Sequence, residues 1–277
     1  MISLLLVATA AIFSEIGTSL GKYEVSQKKE SLYALGFLST LWSAVFLFIF
    51  GITNGELIFS YASLPFFLMR AVIEIILLFV TLNAITSADR TTFSFLRIIT
   101  IPLLLVVDIA LGYNFSLNQI IGISIIVIAL IFLFLNHGLS RKGKFLSLIS
   151  SILAVATIAL YKYNITHYNS VEAEQILIHL IILVALIVAA KVRVNENLFS
   201  YLTNRTFLIQ SISSGIAGAI LSFAYIFAQA SIVTAAKRSF EILLALLFGR
   251  KYFHEKHIII KTIALILIVA GVILTIV

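Results

Sequence analysis

Charged side chains set inside long apolar runs are the chemistry this sequence offers. Glu15, Arg70, Glu74, Arg97, Asp108, Lys162, His179, Lys237, Arg238 and Glu241 all interrupt stretches of Leu, Ile, Val, Ala and Phe. An ionised group in the middle of such a run is disfavoured by about 2.5–3.5 kcal/mol on insertion scales, so each of these needs a partner, water or a ligand. Lys162, Lys237 and Arg238 fall at comparable distances from the ends of their runs, with Tyr161, Tyr163, Tyr225 and Gln229 at similar depth. Three cations facing one space, with only Glu241 nearby, would favour an anion: an arginine offers a planar fork to a carboxylate or phosphate, a lysine a point charge. Lys162, Lys237, Arg238, Arg97, Tyr225 and Gln229 are therefore the expected substrate-binding residues.

Structural readings compete with that one. Arg70 and Glu74, and likewise Lys237 and Glu241, stand four residues apart, where a helix sets the two side chains of each pair on one face to neutralise one another. Asp108 lies near the end of its run and is expected to reach water. His179 is a lone histidine of the kind that packs inside a helix bundle. Lys162 can snorkel to an interface. His254-Glu-Lys-His257 is the one dense polar cluster in a loop, and it lacks the HExxH spacing of a zinc hydrolase. With no cysteine in the chain, thiolate metal sites and redox pairs are excluded, so no cofactor, metal site or enzymatic activity is expected.

The elements that must position these groups follow from composition. Of 277 residues, 61% are hydrophobic and only 11% charged, less than half the charged share of an average soluble domain. Apolar runs near 2–20, 33–52, 62–86, 90–111, 117–136, 145–164, 172–190, 206–230, 233–250 and 258–276 are each long enough to cross about 30 Å of hydrocarbon as helix. They lack the alternation of barrel strands, and a lipid-exposed backbone must satisfy its own hydrogen bonds, so the fold class is all-α: a polytopic membrane protein of about ten transmembrane helices. The first run lacks a basic leader and reads as a retained span. Pro102 is expected to kink the fourth.

The net charge of +7 sits in short loops and not in a nucleic-acid footprint. The loops after odd-numbered runs hold Lys22, Lys28, Lys29, Arg90, Arg141, Lys142, Lys144, Lys191, Arg193, Arg205, Arg250, Lys251 and Lys256, whereas the loops after runs two, four, six and eight hold no Lys or Arg. The positive-inside bias places the basic loops in the cytoplasm and both termini outside.

The chain divides near residues 136–144, and an offset of 142 carries Thr92 onto Thr234, Gly122 onto Ala264 and the run 123–135 onto 265–277. Five spans per half is an odd number, so residues 1–137 and 143–277 would enter the membrane from opposite faces as inverted repeats, with a binding site between them near the midplane. Ala235-Ala-Lys-Arg-Ser-Phe-Glu241, Glu255 and Ile268-Val-Ala-Gly-Val-Ile-Leu274 resemble the ninth and tenth helices of the drug/metabolite transporter superfamily, EamA-type branch. The resemblance implies a ten-helix carrier of small metabolites, although that branch usually keeps both termini in the cytoplasm. Lys237, Arg238 and Lys162 also resemble the phosphate-holding residues in helices nine and six of the plastid sugar-phosphate translocators.

The run from Ala11 to Lys22 is similar to the first helix of the small multidrug resistance transporters, whose one buried Glu binds proton and drug in turn; that resemblance implies a coupling role for Glu15. One residue separates Glu15 from Gly17-Thr18 where that family has two, a rotation of about 100° on the helix. The expected function is thus secondary transport of a small polar, by preference anionic, metabolite across the plasma membrane. Proton-coupled export of amino acids or cationic drugs, and a structural or receptor role, are the alternatives. The expected partners are a small-molecule substrate and membrane lipids, not nucleic acid, and a homodimer is left open.

Overall fold

A computed structural model describes residues 2–55, 57–114, 116–136, 142–253 and 258–276; Ser140, Arg141 and the His254–His257 cluster lie outside the described residues. Among the described residues everything regular is helical. The helices are α1 (Ile2–Ser26), α2 (Leu32–Asn54), α3 (Leu64–Ser87), α4 (Arg90–Leu96), α5 (Thr100–Ala110), α6 (Leu117–Leu135), α7 (Lys144–His167), α8 (Val171–Val194), α9 (Arg205–Ala224), α10 (Ala230–Phe253) and α11 (Ile258–Ile276). Short 3-10 turns occupy Tyr61–Ser63, Arg97–Ile99 and Leu198–Thr203. Each apolar run read from the sequence lies mostly on helix, although the run 206–230 passes through the turn at 225–229. Seven segments, from Ile2–Ser26 to Arg205–Ala224, are long and apolar enough to cross a membrane.

Local sequence explains the boundaries. Ser31, Ser170 and Asn204 cap α2, α8 and α9, each side-chain oxygen accepting from a backbone N–H of the first turn, at 3.1 Å for Ser31 to Ala34. Pro65 opens α3, where its missing N–H is no loss, and Gly55 closes α2 in the left-handed conformation that favours glycine. The expected interruption beside Pro102 is real but sits at Arg97–Ile99, where the fourth span tightens into a 3-10 turn between α4 and α5. Pro102 itself lies in the first turn of α5, which tolerates it.

Burial is inverted relative to a water-soluble bundle. Phe48, Leu68, Val72, Ile76, Val184 and Val188 are exposed on the helices' outer faces, while Arg70, Glu174, Arg238 and a dozen or more Ser and Thr residues are buried. That is the pattern of a helical polytopic membrane protein, whose outer faces meet lipid.

Packing runs across the two halves of the sequence more than within them. α1 lies on α9, α2 on α8 and α9, α3 on α7, α4 and α5 on α10, and α6 on α11. Small residues on α9 let α2 approach closely. Ser211 Oγ donates to the Leu38 carbonyl at 2.7 Å, and a side chain at Gly215 would meet the Trp42 backbone carbon at 2.7 Å. The basic loops gather at one end of the bundle: Gly143 packs on Ala88, and Ser31 binds Glu196. At the other end Ser60 N donates to Asn169 Oδ1 at 2.9 Å and Ser170 N to the Ile58 carbonyl at 2.9 Å.

Candidate binding cavity between the two halves

The middles of these helices do not close completely. They leave a cavity of about 330 Å³ whose wall is mostly apolar, with Leu77, Leu82, Ile182 and Leu221 among its residues, and into which Ser14 and Thr18 of α1, Ser39 and Thr40 of α2, Thr81 of α3 and Ser214 of α9 bring hydroxyls. Four ionisable groups reach it: Glu74 from α3, Arg97 from the 3-10 turn, and Lys237 and Glu241 from α10. A mostly apolar space with a few polar groups of both charge signs is a place for a small solute that those groups orient.

On the α10 side, Arg238 donates from its terminal nitrogen to Glu241 Oε2 at 2.5 Å, and Lys237 Nζ stands 3.8 Å from Glu241 Oε1. The expected Lys237–Glu241 pair is thus present but secondary, because the guanidinium three residues before Glu241 holds it more tightly. Arg238 is only 1% exposed and lies behind the cavity wall. Arg97 faces the same group of charges from the other half of the chain. Its guanidinium rests 5.3 Å from the Phe93 ring, and its buried Nε has no hydrogen-bond partner among the described residues.

On the α3 side the pairing expected from spacing is corrected by a residue that spacing could not supply. Arg70 and Glu74 are 3.7 Å apart, beyond hydrogen-bonding distance, whereas Arg70 donates to Glu174 of α8 at 2.7 Å and to Gln175 at 2.9 Å. Glu174 is fully buried and also accepts from Asn164 at 3.0 Å and Asn169 at 2.6 Å. Tyr161 stacks under the Arg70 guanidinium at 4.6 Å, and its hydroxyl donates to the Ser222 carbonyl. Arg70 is therefore a bridge between the halves, joining α3 to α8.

Lys162, Tyr225 and Gln229 are not brought into the cavity. The Lys162 ammonium donates to the carbonyls of Tyr225 at 2.6 Å and Ala228 at 3.3 Å, capping the end of α9 at its turn into α10. A cation at a helix C-terminus also meets the negative end of the helix dipole. The Tyr225 hydroxyl lies 3.3 Å from Thr234, and Gln229 Oε1 is buried without a partner among the described residues. Lys162 does not face one space with Lys237: the turn that follows Ala224 receives its ammonium instead. Asp108, expected in water, is instead buried, and its Oδ2 accepts from the Ser231 backbone N–H at 2.9 Å near the start of α10. At the opposite end of the bundle Lys22 Nζ donates to the Ala88 carbonyl at 2.5 Å, at the turn from α3 into α4. The two clamps stand 140 residues apart at both ends, Lys22 to Lys162 and Ala88 to Ala228.

Glu15 is buried on α1, where Ser19 Oγ donates to it at 2.6 Å, but its neighbours Ser14 and Thr18, not Glu15, line the cavity. His179 Nδ1 is buried without a partner among the described residues, on α8 in the field of Arg70.

Sequence reasoning passed over Glu30, which sits in the turn between α1 and α2. Burial, opposed by a hydrogen bond from Gln210 at 2.8 Å and reinforced by the charges of Glu24 and Glu196, pushes its carboxyl up from the usual 4.5 to about 8. The folded chain then holds a proton there that the unfolded chain releases, so this group lowers stability as pH rises from its ordinary value through about 8. Glu30→Gln should flatten that decline and raise the melting temperature most at the alkaline end. A series of melting curves in detergent against pH checks this, and an unchanged slope would remove Glu30 as the cause.

No family model matches the chain, and no curated protein sequence matches it either.

Proposed function

We propose that this chain is a secondary transporter that carries a small polar solute, by preference an anion, across the plasma membrane by alternating access. The observation that carries the reading is the cavity between the helices, to which both halves contribute and into which Arg97 and Lys237 reach together with several hydroxyl groups. In this reading the helices make ten crossings as two inverted five-helix repeats, residues 1–137 and 143–277.

Several features support the repeat. α6 and α11 are both 19 residues long, α2 and α8 are 23 and 24, and both are capped by serine. Exchanging the halves turns the α1–α9 contact into α7–α3 and maps α2–α8 and α6–α11 onto themselves. The Lys22 and Lys162 clamps obey the same exchange, one at each end of the bundle. Rocking of one repeat against the other would then expose the cavity to each side in turn. The resemblance to EamA-type transporters belongs to the same proposal, as does the cytoplasmic placement of the basic loops.

A solute panel tests the substrate class. Purified protein is screened by thermal shift against phosphorylated sugars, carboxylates and amines, and the stabilising solutes are taken into uptake assays in proteoliposomes. Stabilisation and uptake of anions are expected. Response to amines alone would favour the alternative, export of cationic solutes, and sink the anion reading; response to nothing in the panel would favour a structural or receptor role. For topology, a single cysteine at Asn195 is expected to be labelled only from the cytoplasmic side, in a chain with no native cysteine to confuse the result.

A further inference from the structure

We propose that Glu74 is a proton site of this cavity and that its protonation admits the substrate anion, so that proton and anion bind together. The inference rests on the anion reading above and assigns the coupling group within it.

The four cavity charges are not equally matched. Glu241 has Arg238 at 2.5 Å and Lys237 at 3.8 Å. Glu74 has only Arg70 at 3.7 Å, and the short bonds of that arginine are committed to Glu174 and Gln175. The lining therefore contains one carboxylate secured by its own cations and one that is not. The remaining attraction on Glu74 comes from Arg97, the cation best placed to receive a ligand.

Charge balance then sets the linkage. With every lining group ionised, Arg97 and Lys237 are offset by Glu74 and Glu241, and an anion entering beside Arg97 also meets the repulsion of Glu74. With Glu74 protonated, that repulsion is gone and the lining is one unit more positive toward the anion. Linkage is reciprocal: if a proton strengthens anion binding, the anion strengthens proton binding by the same factor.

The neighbouring hydroxyl suits both states. Thr157 lies within hydrogen-bonding reach of Glu74, and its own hydroxyl can donate to the Ala154 carbonyl at 3.2 Å, leaving its oxygen to accept from a protonated carboxyl. The other titratable or charged groups around Glu74 are Arg70 on its own helix, Arg97 on the 3-10 turn, Tyr161 on α7, Glu174 and His179 on α8, and Lys237, Arg238 and Glu241 on α10. Of the carboxylates, Glu174 is saturated by Arg70, Asn164 and Asn169, and Glu241 by its two cations. Glu15 lies off the lining.

The test uses succinate and sulfate, whose charges are constant above about pH 7, so that any pH dependence belongs to the protein. Affinity of the full-length protein is expected to weaken by up to about tenfold per pH unit once Glu74 ionises. Glu74→Gln, a permanent stand-in for the protonated acid, should bind with an affinity independent of pH and should exchange anion without accumulating it under a proton gradient. Glu74→Asp keeps a titratable group and should keep a pH dependence with a displaced midpoint, a second readout should the glutamine variant fold poorly. A glutamine variant whose binding still follows pH and whose uptake still follows the gradient overturns the proposal, as does loss of coupling in Glu15→Gln beside an intact profile in Glu74→Gln. Absence of anion binding in the unsubstituted protein at every pH is a different failure, that of the anion reading itself, and removes this proposal with it.

Discussion

Arg70→Gln is expected to be the most damaging single change to the fold, lowering stability by about 3–5 kcal/mol, because it strands Glu174 as a buried charge without its cation. Asn164 and Asn169 would remain as donors to Glu174, but neutral amides cannot replace a guanidinium at 2.7 Å. The Arg70–Glu174 bond also joins α3 to α8, so its loss loosens the contact between the halves. Adding Glu174→Gln should recover most of the loss, since a neutral pair removes the desolvated charge altogether. Arg70→Lys should not, because one ammonium cannot serve Glu174 and Gln175 with the geometry of the fork. Melting temperature and monodisperse yield in detergent measure all three variants. A single variant that melts with the unsubstituted protein, or a double variant no better than the single, would contradict this account of the network.

Arg97→Gln should have the opposite signature, a large effect on binding and a small one on stability. No carboxylate lies within ion-pair distance of Arg97 among the described residues, so its removal strands no partner, and it relieves the repulsion between Arg97 and Arg238. Losing a desolvated contact to an anion costs about 2–5 kcal/mol, a weakening of anion affinity of thirtyfold or more. Arg97→Lys should recover part of it, as a point charge without the fork. Lys237→Gln should fall between the two cases, weakening binding while leaving Glu241 to Arg238. Titration of the anion that gives the largest thermal shift, alongside melting curves without ligand, separates the effects. An Arg97→Gln protein that binds that anion normally would exclude Arg97 from the site.

The helices were legible in the sequence because hydropathy and run length are local properties, as were the Arg238, Lys237 and Glu241 neighbours, one helical turn apart. Arg70 shows where legibility ends. Its spacing to Glu74 suggests a private pair, yet the stronger acceptor is Glu174, more than a hundred residues later, and only the packing of α3 near α8 decides between them. Lys162 shows the same limit along the membrane normal. Its level was read from its place near the outer end of the run 145–164, whereas its partners are carbonyls in the turn beyond Ala224, which only the packing of α7 beside α9 brings to the ammonium. Arg97 stood out as a charged residue in an apolar run, and it lines the cavity, but its place on a 3-10 turn facing α10 has no periodic signal. Glu30 and Glu174 were missed because they lie close to helix starts, where a carboxylate ordinarily meets water.

In the transporter reading proposed above, the matched lysine clamps bear on the energetics of the cycle. Each holds the turn of a broken helix pair by ammonium-to-carbonyl bonds, and both are made in this structure. Opening one end would sacrifice one clamp and leave the other intact, and the freed ammonium would regain water. The clamps themselves differ by the extra carbonyl that Lys162 reaches, one hydrogen bond of about 1 kcal/mol. Clamps so nearly matched would add little bias toward either face, and net flux through such a carrier would follow the solute and proton gradients on its two sides.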